Sequence, residues 1–289
     1  MIYLLISILL ATFLVVILKF FVRWEIPQHF GIVFNYGVCM VIGWFSNGRL
    51  PGLKELQHWE GTIPALTLGV MFFSIFNIIA VSSKYIGIGI TSIAFKISFI
   101  IPVVAAVMLY HEPVTWQVGG SVICALGAVL AISIRKQSSG IPGEQIPAWA
   151  GILPIAIFVG SGLNDAFLNY IQVHHLNEGD NHLFNAIVFT AAFLFGFLLF
   201  FHKKKFWRWR YLAGGLVLGI PNYGSIYFLL LAMQQSGMKY SLLFPAYNLG
   251  IILTGVALGR LFFGEKLDKP GYLGLLLAVL ALIFIALAS

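Results

Sequence analysis

The stretch Lys84 to Pro113, KYIGIGITSIAFKISFIIPVVAAVMLYHEP, runs from a short polar start through an apolar segment to an abrupt stop at His111-Glu112-Pro113. The same plan returns downstream as GMKYSLLFPAYNLGIILTGVALGRLFFGEK. Laid over each other without a gap, the copies match Ser83 with Ser236 and Glu112 with Glu265. Each is followed by a glycine-bearing apolar segment, VGGSVICALGAVLAI in the first and GYLGLLLAVLALIFIA in the second. Repetition on this scale constrains an architecture more than local propensity does. It describes one membrane module written twice.

Charge content supports that reading. The chain is 60% apolar and 9% charged, whereas a soluble domain carries roughly 25% charged residues because its surface faces water. A mean hydropathy of +0.95 makes lipid the solvent over most of the surface. Hydrocarbon offers no water to backbone groups, so spanning segments are helices or a closed barrel. Apolar runs of about twenty residues without strict alternation select helices. The expected fold class is therefore an all-α integral membrane protein. Cys39 and Cys124 both fall inside apolar runs, which is neither a disulfide framework nor a zinc spacing. The net charge of +7 would suggest nucleic acid in a soluble protein. Here the basic residues sit in short loops, where they read as membrane orientation.

Ten apolar spans are expected, at about 2–22, 28–46, 63–83, 88–110, 114–134, 148–173, 182–202, 211–234, 239–262 and 271–288. The first lacks the charged start and small-residue cleavage site of a signal peptide and reads as a retained helix. The longest hydrophilic links are Asn47–Gly61 and the run RKQSSGIPGEQIP after helix five. The second link joins the halves, giving one five-helix repeat over residues 1–135, a linker over 136–147 and a second repeat over 148–289. Thirteen loop Lys and Arg residues fall in the odd-numbered loops against three in the even ones. This bias places the odd loops in the cytoplasm of a cell or inner membrane, with both chain ends outside. The loop KKKFWRWR contributes most, and its Trp207 and Trp209 fit an interfacial belt; the alternative for it is a lipid-headgroup or nucleic-acid contact. An odd number of helices per half starts the second copy from the opposite side. The halves are thus inverted repeats, as in many secondary transporters, with a substrate site expected near the midplane between them.

The residues that end each copy carry a resemblance. The short link between helices three and four, the step Pro102-Val103, Glu112 ten residues after that proline, and Leu261-Phe262-Phe263-Gly264-Glu265-Lys266 at the matching end of the second copy resemble the EamA-type proteins of the drug/metabolite transporter superfamily. The match covers nearly the whole chain. It implies ten helices in two inverted five-helix repeats. It also implies a central cavity lined by helices three, four, six, eight and nine, with helices five and ten behind. Two features depart from the pattern. Gly255 stands where the first copy has Pro102, and the Lys/Arg bias is opposite to the usual family drawing, which has both ends in the cytoplasm.

Two charged residues sit deep in apolar spans, Lys96 on helix four and Asp165 on helix six. A charge in hydrocarbon costs at least about 2.5–3.5 kcal/mol, so each needs a reason. Lys96 suits the carboxylate or phosphate of a substrate, and Asp165 a proton or an amine. The alternative is an ion pair that locks the two helices in a dry interior. If both helices are continuous, the two Cα atoms differ by ~13 Å in depth, which a direct pair does not span without tilt or a helix break. Around them lie Asn77 on helix three, Asn164 and Asn169 on six, Asn222 and Tyr223 on eight, and Tyr247 and Asn248 on nine. Each is either interhelical glue or part of a binding surface. Pro102, Pro154, Pro221 and Pro245 fall within spans, as kinks or as hinges.

Glu112, at the start of helix five before Pro113, and Glu265 read as helix-boundary residues. The run from His174 and His175 through Glu178 and Asp180 to His182 reads as a hydrated loop, not a metal site. No nucleotide-binding or hydrolase motif occurs. The function expected is secondary active transport, an exporter of a small polar or amphiphilic metabolite such as an amino acid or organic acid. Its substrate-binding residues would be Lys96, Asp165, Asn77, Asn164, Asn222, Tyr223, Tyr247 and Asn248, with Asp165 coupling a proton. The alternatives are a non-transporting membrane scaffold and a flippase for a lipid-linked intermediate. No catalytic residue, cofactor, metal or nucleic acid is expected. The expected partners are a small-molecule substrate and membrane lipid. The chain is a monomer or a homodimer, because the glycine faces of helices five and ten can pack within one chain or between two.

Overall fold

The computed structural model describes residues 1–85, 88–133, 148–177, 179–203, 207–263 and 269–288. The expected linker 136–147, Arg135, Glu178, Lys204, Lys205, Glu265, Lys266 and Asp268 lie outside the described residues. The elements are helices α1 (Ile2–Arg23), α2 (Gln28–Ser46), α3 (Leu53–His58), α4 (Thr62–Tyr85), α5 (Ile88–Ile97), α6 (Ile100–Tyr110), α7 (Trp116–Ser133), α8 (Leu153–His175), α9 (Asn181–Phe200), α10 (Trp209–Gln235), α11 (Tyr240–Phe263) and α12 (Lys269–Ala288). A 3-10 stretch, Ala148–Ile152, leads into α8. Among the described residues there is no strand. Among the described residues, six helices are long and apolar enough to cross a membrane, and four shorter apolar segments, Ile2–Leu18, Ala94–Tyr110, Trp116–Ala131 and Gly271–Leu287, accompany them. The chain has the make-up of a multi-pass, all-helical membrane protein.

The fourth apolar span is not one helix. It breaks at Ser98 and Phe99, between α5 and α6. Pro102 explains the place of the break, because its ring has no N–H to offer the carbonyl four residues back and clashes with it. That carbonyl belongs to Ser98, which instead accepts from Ile101 N–H at 3.0 Å. The matching helix of the second copy, α11, has Gly255 at that place and is continuous. Pro154, expected inside a helix, is the second residue of α8 and bends nothing, since the first turn tolerates proline. Helix five starts later than Glu112 and Pro113 suggested. Its helix α7 begins at Trp116, with Thr115 Oγ1 accepting from Val118 N–H at 3.4 Å.

The chain forms two compact units, each drawing on both halves of the sequence. The first holds residues Met1–Phe76 and Phe167–Ser236. Here α2 lies antiparallel to α9, with Gly43 against the Ala186 backbone and Gly37 against Phe193. It lies parallel to α10, with Gly215 against Phe34 and Gly219 against Val38. Helix α1 packs antiparallel on α10, where Ser7 Oγ donates to the Ser225 carbonyl at 2.7 Å. A Cβ on Gly219 would sit 2.7 Å from Val38 Cβ and 2.9 Å from the Asn35 carbonyl, so only glycine allows this approach. Phe21, Tyr36, Phe73 and Phe189 fill the core between them.

The second unit holds Asn77–Ala166 and Gly237–Ser289. Its main contact is α7 on α12, the two glycine-bearing helices that follow the repeated stretch. They run antiparallel, Gly120 facing Phe284 and Gly127 facing Leu277. These glycine faces therefore pack within one chain. Helix α6 meets α11 through Glu112. His111 ends α6 in the left-handed conformation (φ 52°), which His tolerates better than most residues with a Cβ. Glu112 then reaches α11, where its carboxylate accepts from the N–H groups of Tyr240 at 2.8 Å and Ser241 at 2.9 Å. It is a helix-end residue, but of a helix 128 positions away rather than its own. Anionic groups suit a helix N-terminus, where the first N–H groups lack carbonyl partners. Glu112→Ala is expected to destabilise the protein by about 1.5–3 kcal/mol, read as a lower thermal unfolding midpoint in detergent, with Glu112→Gln retaining part of the loss.

Candidate functional site

Helix α8 is apolar enough to span a membrane, yet it carries Ser161, Asn164 and Asp165 within its second-unit part. Residues three and four apart share a helix face, so Ser161 stands beside both of the others. Ser161 and Asn164 are 3% and 6% exposed. Among the described residues, Ser161 Oγ and Asn164 Oδ1 have no hydrogen-bond partner. Asp165 is half-buried and has neither an ion pair nor a hydrogen bond among the described residues. One turn further along, in the part of α8 that belongs to the first unit, Asn169 is buried with both amide atoms unpartnered among the described residues. A buried polar atom without a partner costs about 1–3 kcal/mol. Such groups are rare in folded proteins and call for an explanation such as water or a bound polar molecule.

Lys96 occupies the last turn of α5, just before the break set by Pro102. The sequence argument placed it in the body of a continuous helix; it stands instead where helix carbonyls run out of N–H partners. A cation is favoured at that end, which is one physical reason why hydrocarbon tolerates this charge. Lys96 is half-buried and, among the described residues, makes no ion pair with Asp165 or any other acid. The locking pair considered from the sequence is thus not formed.

The remaining expected residues divide between the units. Asn77, Tyr247 and Asn248 are half-buried residues of the second unit. Asn248 Nδ2 donates to the Phe244 carbonyl of its own helix at 3.1 Å. Asn222 and Tyr223 belong to the first unit, where both are engaged. Asn222 Nδ2 donates to Asn35 Oδ1 at 3.2 Å, and Cys39 Sγ donates to the Gly219 carbonyl at 3.2 Å. Tyr223 hydroxyl shares a 2.8 Å hydrogen bond with His182 Nδ1, and the His182 ring stacks on Tyr227 at 4.4 Å. Asn181 and Gln234 exchange reciprocal amide bonds at 2.8 and 3.1 Å. His182, read as a loop residue, is instead in the first turn of α9 and joined to α10. Sequence reasoning missed Ser161, Asn35 and Asn185, the last fully buried on α9 with both amide atoms unpartnered among the described residues. Asn35 and Asn185 stand alone among apolar neighbours on helices two and seven, and that isolation was the available signal.

No family model matches the chain. It is similar to an uncharacterized protein of Haemophilus influenzae, 26% identical over 284 residues, which cover 96% of this chain and 94% of that protein. It is also similar to a solved structure described only as the crystal structure of a protein. The TM-score is 0.76 at 12% identity, over 99% of this chain and 96% of the other. The fold is therefore one that another sequence adopts almost end to end.

Tyr223→Phe is expected to cost about 0.5–1.5 kcal/mol through the lost His182 bond, measured as a lower unfolding midpoint. The Tyr227→Phe control is expected to change it less, because the ring stack is kept.

Proposed function

We propose that the protein is a secondary active transporter, exporting a small polar or amphiphilic metabolite such as an amino acid or organic acid by alternating access between inverted five-helix repeats. The observation that carries this reading is the polar face of α8, where Ser161, Asn164 and Asp165 lie on an apolar helix and, among the described residues, Ser161 Oγ and Asn164 Oδ1 have no hydrogen-bond partner. Intramembrane ionisable residues usually mark a substrate or ion path. The break beside Lys96 supports it, because discontinuous helices build the binding sites of many transporters. The antiparallel run of α7 and α12, which follow matching copies of the repeat, supports the inverted arrangement. The resemblance to EamA-type transporters agrees with all three.

In this reading Lys96 holds an anionic group and Asp165 carries the coupling proton or an amine contact. Asn77, Asn164, Tyr247 and Asn248 fix orientation, with Ser161 added. Asn222 and Tyr223 serve the packing of the first unit through Asn35 and His182. The reading needs no cofactor or metal. It places the odd-numbered loops in the cytoplasm of a cell or inner membrane. A scaffold without a transport cycle would instead pair Lys96 with Asp165, a contact not made among the described residues.

The test is uptake into liposomes containing purified protein, with pooled amino acids and organic acids and an imposed pH gradient. Gradient-driven accumulation is expected, and Asp165→Asn is expected to abolish the gradient dependence. Lys96→Met is expected to weaken binding of an anionic substrate by about 10–100-fold, the equivalent of one charge-assisted bond of about 1.5–3 kcal/mol. No flux from any pool with folded protein would overturn the transporter reading, and flux unchanged by both variants would remove these residues from the site.

A further inference from the structure

A cleft of about 580 Å³ opens at one end of the first unit, apart from the polar face of α8 and from Lys96. Arg23, Trp24, Glu25, Trp209, Arg210 and Gly214 line it, with apolar Ile26, Ala213 and Val217. They come from the turn between α1 and α2 and from the first turns of α10. Apolar helices begin and end here, so the cleft lies where the hydrocarbon gives way to headgroups. Trp24 and Trp209 are 42% and 77% exposed, an arrangement costly in water and favourable for indoles at the membrane interface. Val217, two turns deeper along α10, is also exposed and extends the apolar wall toward the hydrocarbon.

The charges point to an anion. Arg23 lies 5.7 Å above the Phe20 ring and lines the cleft. Arg210 makes a long contact, 3.8 Å, to Glu25, with both side chains largely exposed. Exposed pairs of this kind hold weakly and exchange readily. Glu25 is the one carboxylate among the lining residues. It adopts φ 53°, closing a turn in which Ile26 N–H bonds the Phe21 carbonyl at 2.9 Å. A residue with a Cβ takes that conformation against its preference, and such strain gathers at functional turns. This turn sets Arg23 and Trp24 on the same cleft.

We propose that this cleft binds the headgroup of an anionic phospholipid. The phosphate lies against Arg23 and Arg210, whose planar forks match phosphate oxygens. Trp24, Trp209 and Val217 meet the glycerol and upper acyl region. A soluble phosphate would make no use of that exposed apolar wall, which is the reason for assigning a lipid.

The test is native mass spectrometry of the full chain released from nanodiscs of mixed phosphatidylglycerol and phosphatidylcholine. Selective retention of phosphatidylglycerol is expected. The double variant R23Q/R210Q should weaken it by about fivefold per arginine. Ala213→Phe, which fills the cleft and leaves the charges in place, should weaken it to a similar degree. Retention unchanged in both variants would overturn the proposal. So would a loss confined to R23Q/R210Q, which would mean diffuse surface attraction and no site. Thermal stabilisation in neutral detergent by inorganic phosphate equal to that by phosphatidylglycerol would overturn the lipid assignment in favour of a free anion.

Discussion

Apolar side chains gain little by leaving lipid for a protein interior that is equally apolar, so association of these helices depends on how near their backbones can come. Gly43, Gly215 and Gly219 let α2 lie against α9 and α10, and Gly69 lets α4 meet the Val188 carbonyl on α9. In the second unit Gly120 and Gly127 do the same for α7 and α12. Large aromatic rings then fill what the close contacts leave open, as Tyr36 and Phe189 do with centroids 6.0 Å apart. The polar residues are placed by the same contacts. Asn222 reaches Asn35 because Gly219 has already brought α10 onto α2.

Buried polar groups are of two kinds, paired and unpaired, and both occur in each unit. The paired kind includes Asn222 with Asn35, His182 with Tyr223 and Asn181 with Gln234 in the first unit, and Ser82 with Thr91 in the second. These bonds are interhelical, which is the usual structural use of amides in a membrane. The unpaired kind, among the described residues, includes Asn169 and Asn185 in the first unit and Ser161 and Asn164 in the second, where the half-buried Asp165 and Lys96 also stand. Composition alone does not separate these cases, since Asn occurs in both.

That contrast marks how far the sequence could be read. Apolar length and the scarcity of charge were enough for the all-helical membrane class, because lipid leaves the backbone few options. The repeated stretch suggested two like helices, yet the first copy is broken into α5 and α6 while α11 is continuous. The glycines of helices five and ten left open whether those faces pack within one chain or between two. Pro102 was visible as a helix breaker, but its effect falls on the carbonyl four residues earlier, and this moved Lys96 from a helix body to a helix end. Long-range partners were not legible. Glu112 meets Tyr240 across 128 positions and Asn222 meets Asn35 across 187. Local periodicity reports which face a residue occupies and says nothing of which distant element covers that face.

The Glu112 contact has a mechanical meaning. Two short bonds tie the residue after the end of α6 to the first N–H groups of α11. The far end of α6 is the break at Ser98 and Phe99, where its attachment to α5 lacks the regular helix ladder. Helix α6 is thus clamped at one end and jointed at the other, the layout of a lever. The link to α11 is made of two charge-assisted bonds, whereas the link to α5 is two residues of non-helical chain. The two copies of the module therefore differ in stiffness at the same place, the first divided and the second unbroken.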